Sequence, residues 1–248
     1  MPLNPAEPIY RVYQSLLQTQ PFDPQAGLGG KLLYAGEIDA GGRNLLYAAN
    51  IAGAASLAAS ADPVALRHAM RDGVIDFFVN SLEEALRILK NEIRKRQTVS
   101  VGVAAEPRQL VDQMLDRGVL PDLLPDRVRN GNAIDAERSA RFLEQGSSQI
   151  VEAATPPGSL VATWQVDRDF ARWLPRLDEL AKTVLPPEDH ARHRWLKLAP
   201  RYLGRLAQRQ HSVALTQPEF AKFQSLVIES RVQDGADAPN LTIEKSEL

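Results

Sequence analysis

Leu32-Leu33-Tyr34-Ala35-Gly36-Glu37-Ile38-Asp39-Ala40-Gly41-Gly42-Arg43-Asn44 is the stretch whose reading decides the fold. Leu32–Ala35 reads as a short buried strand. Gly36, Gly41 and Gly42 supply a turn, and Asn44–Ala52 continues as a helix. A nucleotide-binding α/β fold builds its phosphate loop in this order. Glycines let the backbone approach the phosphate, and the helix N-terminus aims its free N–H groups at it. A second strand, Ala55–Ala59, should end in an Asp or Glu that holds an adenosine ribose; this chain has Ser60 there.

Outward from this stretch, strand and helix signals alternate. Asp62-Pro63 starts a helix, with a side-chain cap followed by proline in the first turn, and Gly73 ends it. Val74–Val79 is a β-branched and aromatic strand. Asn80 and Glu83 form a capping-box-like pair, after which Leu82, Ala85, Leu86, Leu89 and Ile93 recur at helical spacing. Val99–Val103 is nearly all apolar, as a strand buried on both faces should be. Glu106-Pro107 opens another helix, Gly118 closes it, and Asp122–Leu124 is a short further strand. Ile134–Gln145 is helical, with Gly146 as its stop. The fold expected is α/β: a doubly wound Rossmann-like parallel sheet of five or six strands with helices on both faces.

A mainly helical C-terminal extension should follow the Thr155-Pro156-Pro157-Gly158 boundary, with helices over Asp167–Val184, Glu188–Leu198, Arg201–Gln210 and Gln217–Glu229. The organisation expected is a lead-in over 1–30, the α/β domain over 31–154, a helical region over 155–230 and a flexible polar tail over 231–248.

Composition removes several function classes. The 248 residues carry a net charge of −2, so no field steers nucleic acid or an anionic membrane. No apolar run approaches the roughly 20 residues that span a bilayer. The chain has no cysteine, which excludes disulfides, thiolate metal sites and cysteine nucleophiles. With no signal-peptide pattern at Met1–Pro5, a cytoplasmic location is expected.

The run from Gly30 to Asp126 resembles the nucleotide-binding domain of urocanase (urocanate hydratase). Gly30–Gly36 with Gly41-Gly42 is similar to that domain's strand and glycine loop. Asp62–Leu86, including Gly73, Asp76 and Ser81-Leu82-Glu83-Glu84-Ala85-Leu86, is similar to its next helices and intervening strand. Val99–Gly102 and Arg117-Gly118-Val119-Leu120-Pro121-Asp122 are similar to its S-I-G-L strand and R-G-V-x-P-D turn. The resemblance implies a Rossmann-like fold and, in a complete family member, a hydro-lyase that uses tightly bound NAD as an electrophile.

The family's glycine loop reads roughly G-L-G-G-M-G-G, whereas this chain places Glu37 and Asp39 within it. At a few ångströms from a pyrophosphate, each such carboxylate is unfavourable by about 1–4 kcal/mol. The family's ribose ligand falls on Ser60, a family arginine on Ala65, an Asn-Ala-Ala turn on Ala104-Ala105, and a Gln-Thr-Ser-Ala-His segment on Arg127–Gly131. The catalytic core domain, with its cysteine, finds no counterpart.

The candidate cofactor-binding residues are therefore Gly36, Gly41, Gly42, Arg43, Asn44, Ser60, Ala104 and Ala105. NAD is the ligand the resemblance implies; Ser60 would also tolerate the 2′-phosphate of NADP. No catalytic or metal-binding set emerges. His190 and His193 lack a third ligand, and His68 and His211 read as surface or hydrogen-bonded residues. The basic segment 190–210 reads as an amphipathic helix packing on the α/β unit, and Trp164, Phe170, Trp173 and Leu174 as a packing stripe or subunit interface. The function expected is a stand-alone urocanase-like domain without hydratase activity and with an altered NAD site. It would act as a binding or interaction module, with a homodimer formed through the C-terminal helices. The alternative is a nucleotide-binding protein that uses Gly36–Asn44 and is an enzyme only with a partner or second site.

Overall fold

The computed structural model describes residues 6–125, 134–153, 159–234 and 241–247. It divides into two compact units, Arg11–Ala153 and a second made of the chain up to Tyr10 with everything from Ala154. The boundary expected at Thr155–Gly158 lies outside the described residues, as do Arg127–Gly131. Helix α1, Glu7–Thr19, contributes residues to both units.

In the first unit the alternation expected from sequence is present. It runs β1 (Leu32–Glu37), α2 (Ala40–Ala52), β2 (Ala55–Ser60), α3 (Pro63–Arg71), β3 (Phe77–Val79), α4 (Leu82–Arg94), β4 (Ser100–Ala104), α5 (Pro107–Asp116), β5 (Leu123–Leu124), α6 (Ala136–Glu144) and β6 (Ser148–Gln149). The six strands form one parallel sheet in the order β3-β4-β2-β1-β5-β6. The α/β Rossmann-like fold is thus observed. Strand periodicity sends Leu32, Tyr34, Leu57, Ala59, Val101 and Val103 to one face, where they pack with Leu82, Ala85 and Leu89 of α4, Leu110 and Met114 of α5 and Phe142 of α6. The opposite face takes α2 and α3. There Gly102 leaves just enough room for Leu66, Ile75 and Ile38.

Local signals set most boundaries. Asp62 caps α3 through the Val64 N–H at 2.8 Å. Gly73, Gly118 and Gly146 all have positive φ where their helices end. The capping box is displaced by one residue from its expected place. Ser81, not Asn80, caps α4 by accepting from the Glu84 N–H, and Glu84 reaches back to the Asn80 N–H at 3.0 Å.

The second unit is rich in helix, as expected, but it also holds a three-stranded antiparallel sheet that the sequence reading does not contain. Strands β7 (Ser159–Val166), β8 (Gln210–Thr216) and β9 (Leu241–Glu247) pair in the order β8-β7-β9. The segment expected to be a flexible tail therefore supplies an edge strand. A short 3-10 turn, Arg168–Trp173, precedes α7 (Leu174–Val184); α8 (His190–Leu203) and α9 (Gln217–Asp234) complete the unit.

The helix break expected between Leu198 and Arg201 is absent. Helix α8 runs through Pro200, a 3-10 turn Gly204–Ala207 follows, and Gln210 already belongs to β8. The apolar stripe of α8 is real, and it packs on β8: Trp195 donates to the Ser212 carbonyl at 2.6 Å and meets Tyr10 edge-on. Trp164 is fully buried against Phe223, which makes it core and not a subunit interface. No helix among the described residues is long and apolar enough to cross a membrane.

One ion cluster ties this unit together. Arg192 grips Glu219 with two nitrogens at 2.7 and 3.0 Å, Asp189 at 2.6 Å and the Ala214 carbonyl at 3.0 Å. Burial pushes the Glu219 carboxyl up, but hydrogen bonds from Arg192 and the Thr216 N–H outweigh it and hold it below the usual range. This lowered value means the stabilisation is present above the ordinary glutamate pKa of about 4.3 and is lost as pH falls through the folded value. Arg192→Ala should cost about 1–3 kcal/mol at neutral pH in urea unfolding, because two carboxylates and a carbonyl lose their donor. The gap between variant and parent should narrow in acid.

Candidate functional site

In open parallel sheets, ligands bind beyond the carboxyl ends of the strands. Three neighbouring strands bring most of the sequence-derived candidates to that edge. Glu37 of β1 lies level with Ala59 of β2, and Ser60 lies level with Ala104 of β4. Gly36, Ser60, Ala104 and Ala105 therefore share one rim, with Gly41 and Gly42 in the first turn of α2 above it.

The glycine turn is short. Gly36 has φ +79°, a conformation that suits glycine, and the β1–β2 register shifts between Tyr34 and Gly36. Only Ile38 and Asp39 then separate β1 from α2. Ile38 is buried, and its N–H bonds to the Ala59 carbonyl at 3.1 Å. Asp39 caps the helix, its Oδ1 accepting from the Gly42 N–H at 2.8 Å. A Cβ on Gly42 would stand 1.8 Å from the Glu37 carbonyl oxygen, so the helix start lies directly against the strand end. Glu37 turns its own carboxylate to the Ile38 N–H at 3.2 Å. Beneath it, burial and then the Glu37 charge raise the Tyr34 phenol above its ordinary value.

The remaining candidates have partners inside the chain. Arg43 is drawn to Asp72 at the end of α3, at 2.7 Å, and also bonds to the Tyr47 hydroxyl. Asn44 is half-buried. Ser60 is buried, and its hydroxyl takes the Asp62 N–H at 3.3 Å. Ala104 and Ala105 are half-buried and offer no side-chain donor.

Two acidic residues of the resembling stretches, Asp76 and Asp122, lie at the opposite, amino edge of the sheet. Asp76 accepts from the Ser100 N–H at 2.8 Å. Asp122 accepts from the Leu32 N–H at 2.8 Å and from Lys31 at 3.0 Å. These carboxylates tie the beginnings of strands together and do not face the ligand edge. Residues 15–135 match the family model of the urocanase Rossmann-like domain. This stretch is similar to a urocanase Rossmann-like domain. The match runs from before β1 to beyond β5.

Sequence reasoning missed a buried polar cluster in the second unit. Asp178 of α7 accepts from Trp164 Nε1 at 3.1 Å and meets His211 Nδ1 at 2.7 Å; His211 Nε2 lies 3.0 Å from the Ala207 carbonyl. The pair lines a small recess together with Trp195, Leu203, Gln210 and Ser212. Both imidazole nitrogens are engaged, so neither is left for proton transfer or a metal. The two partners are 33 residues apart, with no motif linking them. His193 bonds to the Pro186 carbonyl at 3.1 Å, and no metal-holding group of three or more such side chains occurs among the described residues.

Two substitutions test the closed turn. Gly42→Ala should destabilise by about 3 kcal/mol or more in chemical unfolding, because the clash is with backbone and cannot be relieved by a rotamer change. Asp39→Ala should cost about 1 kcal/mol through loss of the cap, and Asp39→Asn much less.

Proposed function

We propose that this chain is a urocanase-like Rossmann domain that works as a binding or interaction module, with its dinucleotide site closed from within and without urocanate hydratase activity. One observation carries the reading: the carboxylate of Asp39 sits on the N-terminus of α2, where a pyrophosphate would lie. The Gly42 N–H that would meet a phosphate oxygen already donates to Asp39.

The residues present do not fit NAD. A bound pyrophosphate would face Asp39 and Glu37, and Arg43 beside them is held by Asp72. The ribose position offers Ser60, whose hydroxyl is buried and bonded to the chain. A carboxylate supplied by the chain needs no loss of translational freedom, so it competes with a free anion at a large entropic advantage. What the scaffold retains is a rigid sheet with helices on both faces, and that is what an interaction module requires.

Titration with NAD, NADP, ATP and adenosine, followed by thermal unfolding, should give no saturable stabilisation. A ligand present at a hundred times its dissociation constant would stabilise by about 2.7 kcal/mol. A shift of that kind would overturn the proposal and assign nucleotide binding to the Gly36–Asn44 loop. Urocanate absorbance should likewise stay constant when protein and NAD are added.

A further inference from the structure

Strand β3 closes one edge of the parallel sheet. It pairs with β4 on one side, and no strand of the described residues pairs with the other. The Asp76 N–H points to the Ser100 carbonyl. By alternation along the strand, Phe78 also turns its backbone toward β4, while Phe77 and Val79 turn theirs outward. The side chains of this edge are apolar as well. Phe77 is 50% exposed on the α4 face and Phe78 is 36% exposed on the α3 face. Val64 and Met70 of the adjoining α3 are also exposed. Edge strands that face water normally carry lysine, proline or an inward charge, because open backbone groups with apolar side chains invite pairing. Phe77-Phe78-Val79 carries none of these.

We propose that a second copy of this chain covers the edge, with β3 pairing antiparallel to β3 of the partner about a two-fold axis normal to the sheet. Such an axis makes the interface isologous and self-limiting. It also sets α4 beside its own copy on the same face, running in the opposite direction. The two β4 strands would lie three strand spacings apart, about 14 Å, which places the overlying helices within reach of long charged side chains.

The charge order of α4 suits this arrangement. Its first turn carries Glu83 and Glu84, and its last residues and cap are Arg94 and Lys95, all exposed. Running antiparallel to itself, the helix opposes acidic start to basic end twice. Within one copy Glu83 pairs with Arg87 and Lys95 with Glu92 along the same helix, Arg94 bonds Asn91, and Glu84 serves the capping box. Such pairs are weak and readily exchanged. The sequence of charges is therefore complementary to a second copy in this one orientation.

Sedimentation velocity and light scattering on the full chain should show a dimer. Phe77→Lys should yield a monomer with unchanged far-UV circular dichroism. Glu83→Lys should raise the dimer dissociation constant several-fold, and adding Arg94→Glu should restore it. Both positions are exposed on the helix surface, so the charge reversal decides the matter even if Phe77→Lys fails to fold. Ile228→Glu on α9, where Ile228 is 62% exposed, should leave the dimer intact. A parent chain that stays monomeric at every concentration overturns the proposal. So does a folded Phe77→Lys dimer, a failed charge restoration, or a dimer lost on Ile228→Glu.

Discussion

The contact on which the first unit depends is the seating of helix α2 against the end of strand β1. Gly42 brings the helix start against the Glu37 carbonyl, and Asp39 binds the N–H that this approach leaves unpaired. Where α2 begins sets how it lies against the strand end and the sheet face it covers. The same contact fixes the chemistry available at the carboxyl edge. A helix N-terminus attracts one anion with high preference, and here the anion belongs to the chain.

The two edges of the sheet have separate duties. At the amino edge, Asp76 and Asp122 bind backbone N–H groups of neighbouring strands, and Lys31 adds a charge to Asp122. Deeper in, Asn50 joins the Val74 carbonyl to the Ser100 hydroxyl and links α2 to β4. Lys31, Asp76, Ser100 and Asp122 fall within stretches similar to the urocanase domain. At the carboxyl edge, Glu37, Asp39 and Ser60 depart from that pattern. Resemblance to the family therefore reports the scaffold, and the departures bear on the ligand edge.

Most of the first unit was legible in the sequence because its signals are local. Asp62-Pro63, the glycines at 73, 118 and 146, and the apolar periods of α4 and α5 each act within a few residues. The one-residue displacement of the capping box is typical of such reading, since Asn80 and Ser81 are both good caps and only the helix geometry chooses between them. The second unit was harder. Its sheet pairs Leu160 with Leu215 and with Glu247, and no local pattern announces partners so far apart. The polar strand Leu241–Glu247 is held by the ladder to β7, so its composition gave the impression of a tail. The Asp178–His211 pair was invisible for the same reason.

By itself the sequence determined the alternation of strand and helix, the parallel sheet and the presence of a urocanase-like scaffold. It also placed Glu37, Asp39 and Ser60 where a dinucleotide would lie. Only the tertiary structure decided what those residues do. Whether Asp39 repels a phosphate or takes its place depends on the direction of its carboxylate, and whether Arg43 is free depends on Asp72, which reaches it from another helix. Helix caps and periods are properties of neighbouring residues. A binding site is a property of residues brought together by folding, and its charge balance is set by partners that the linear chain keeps apart.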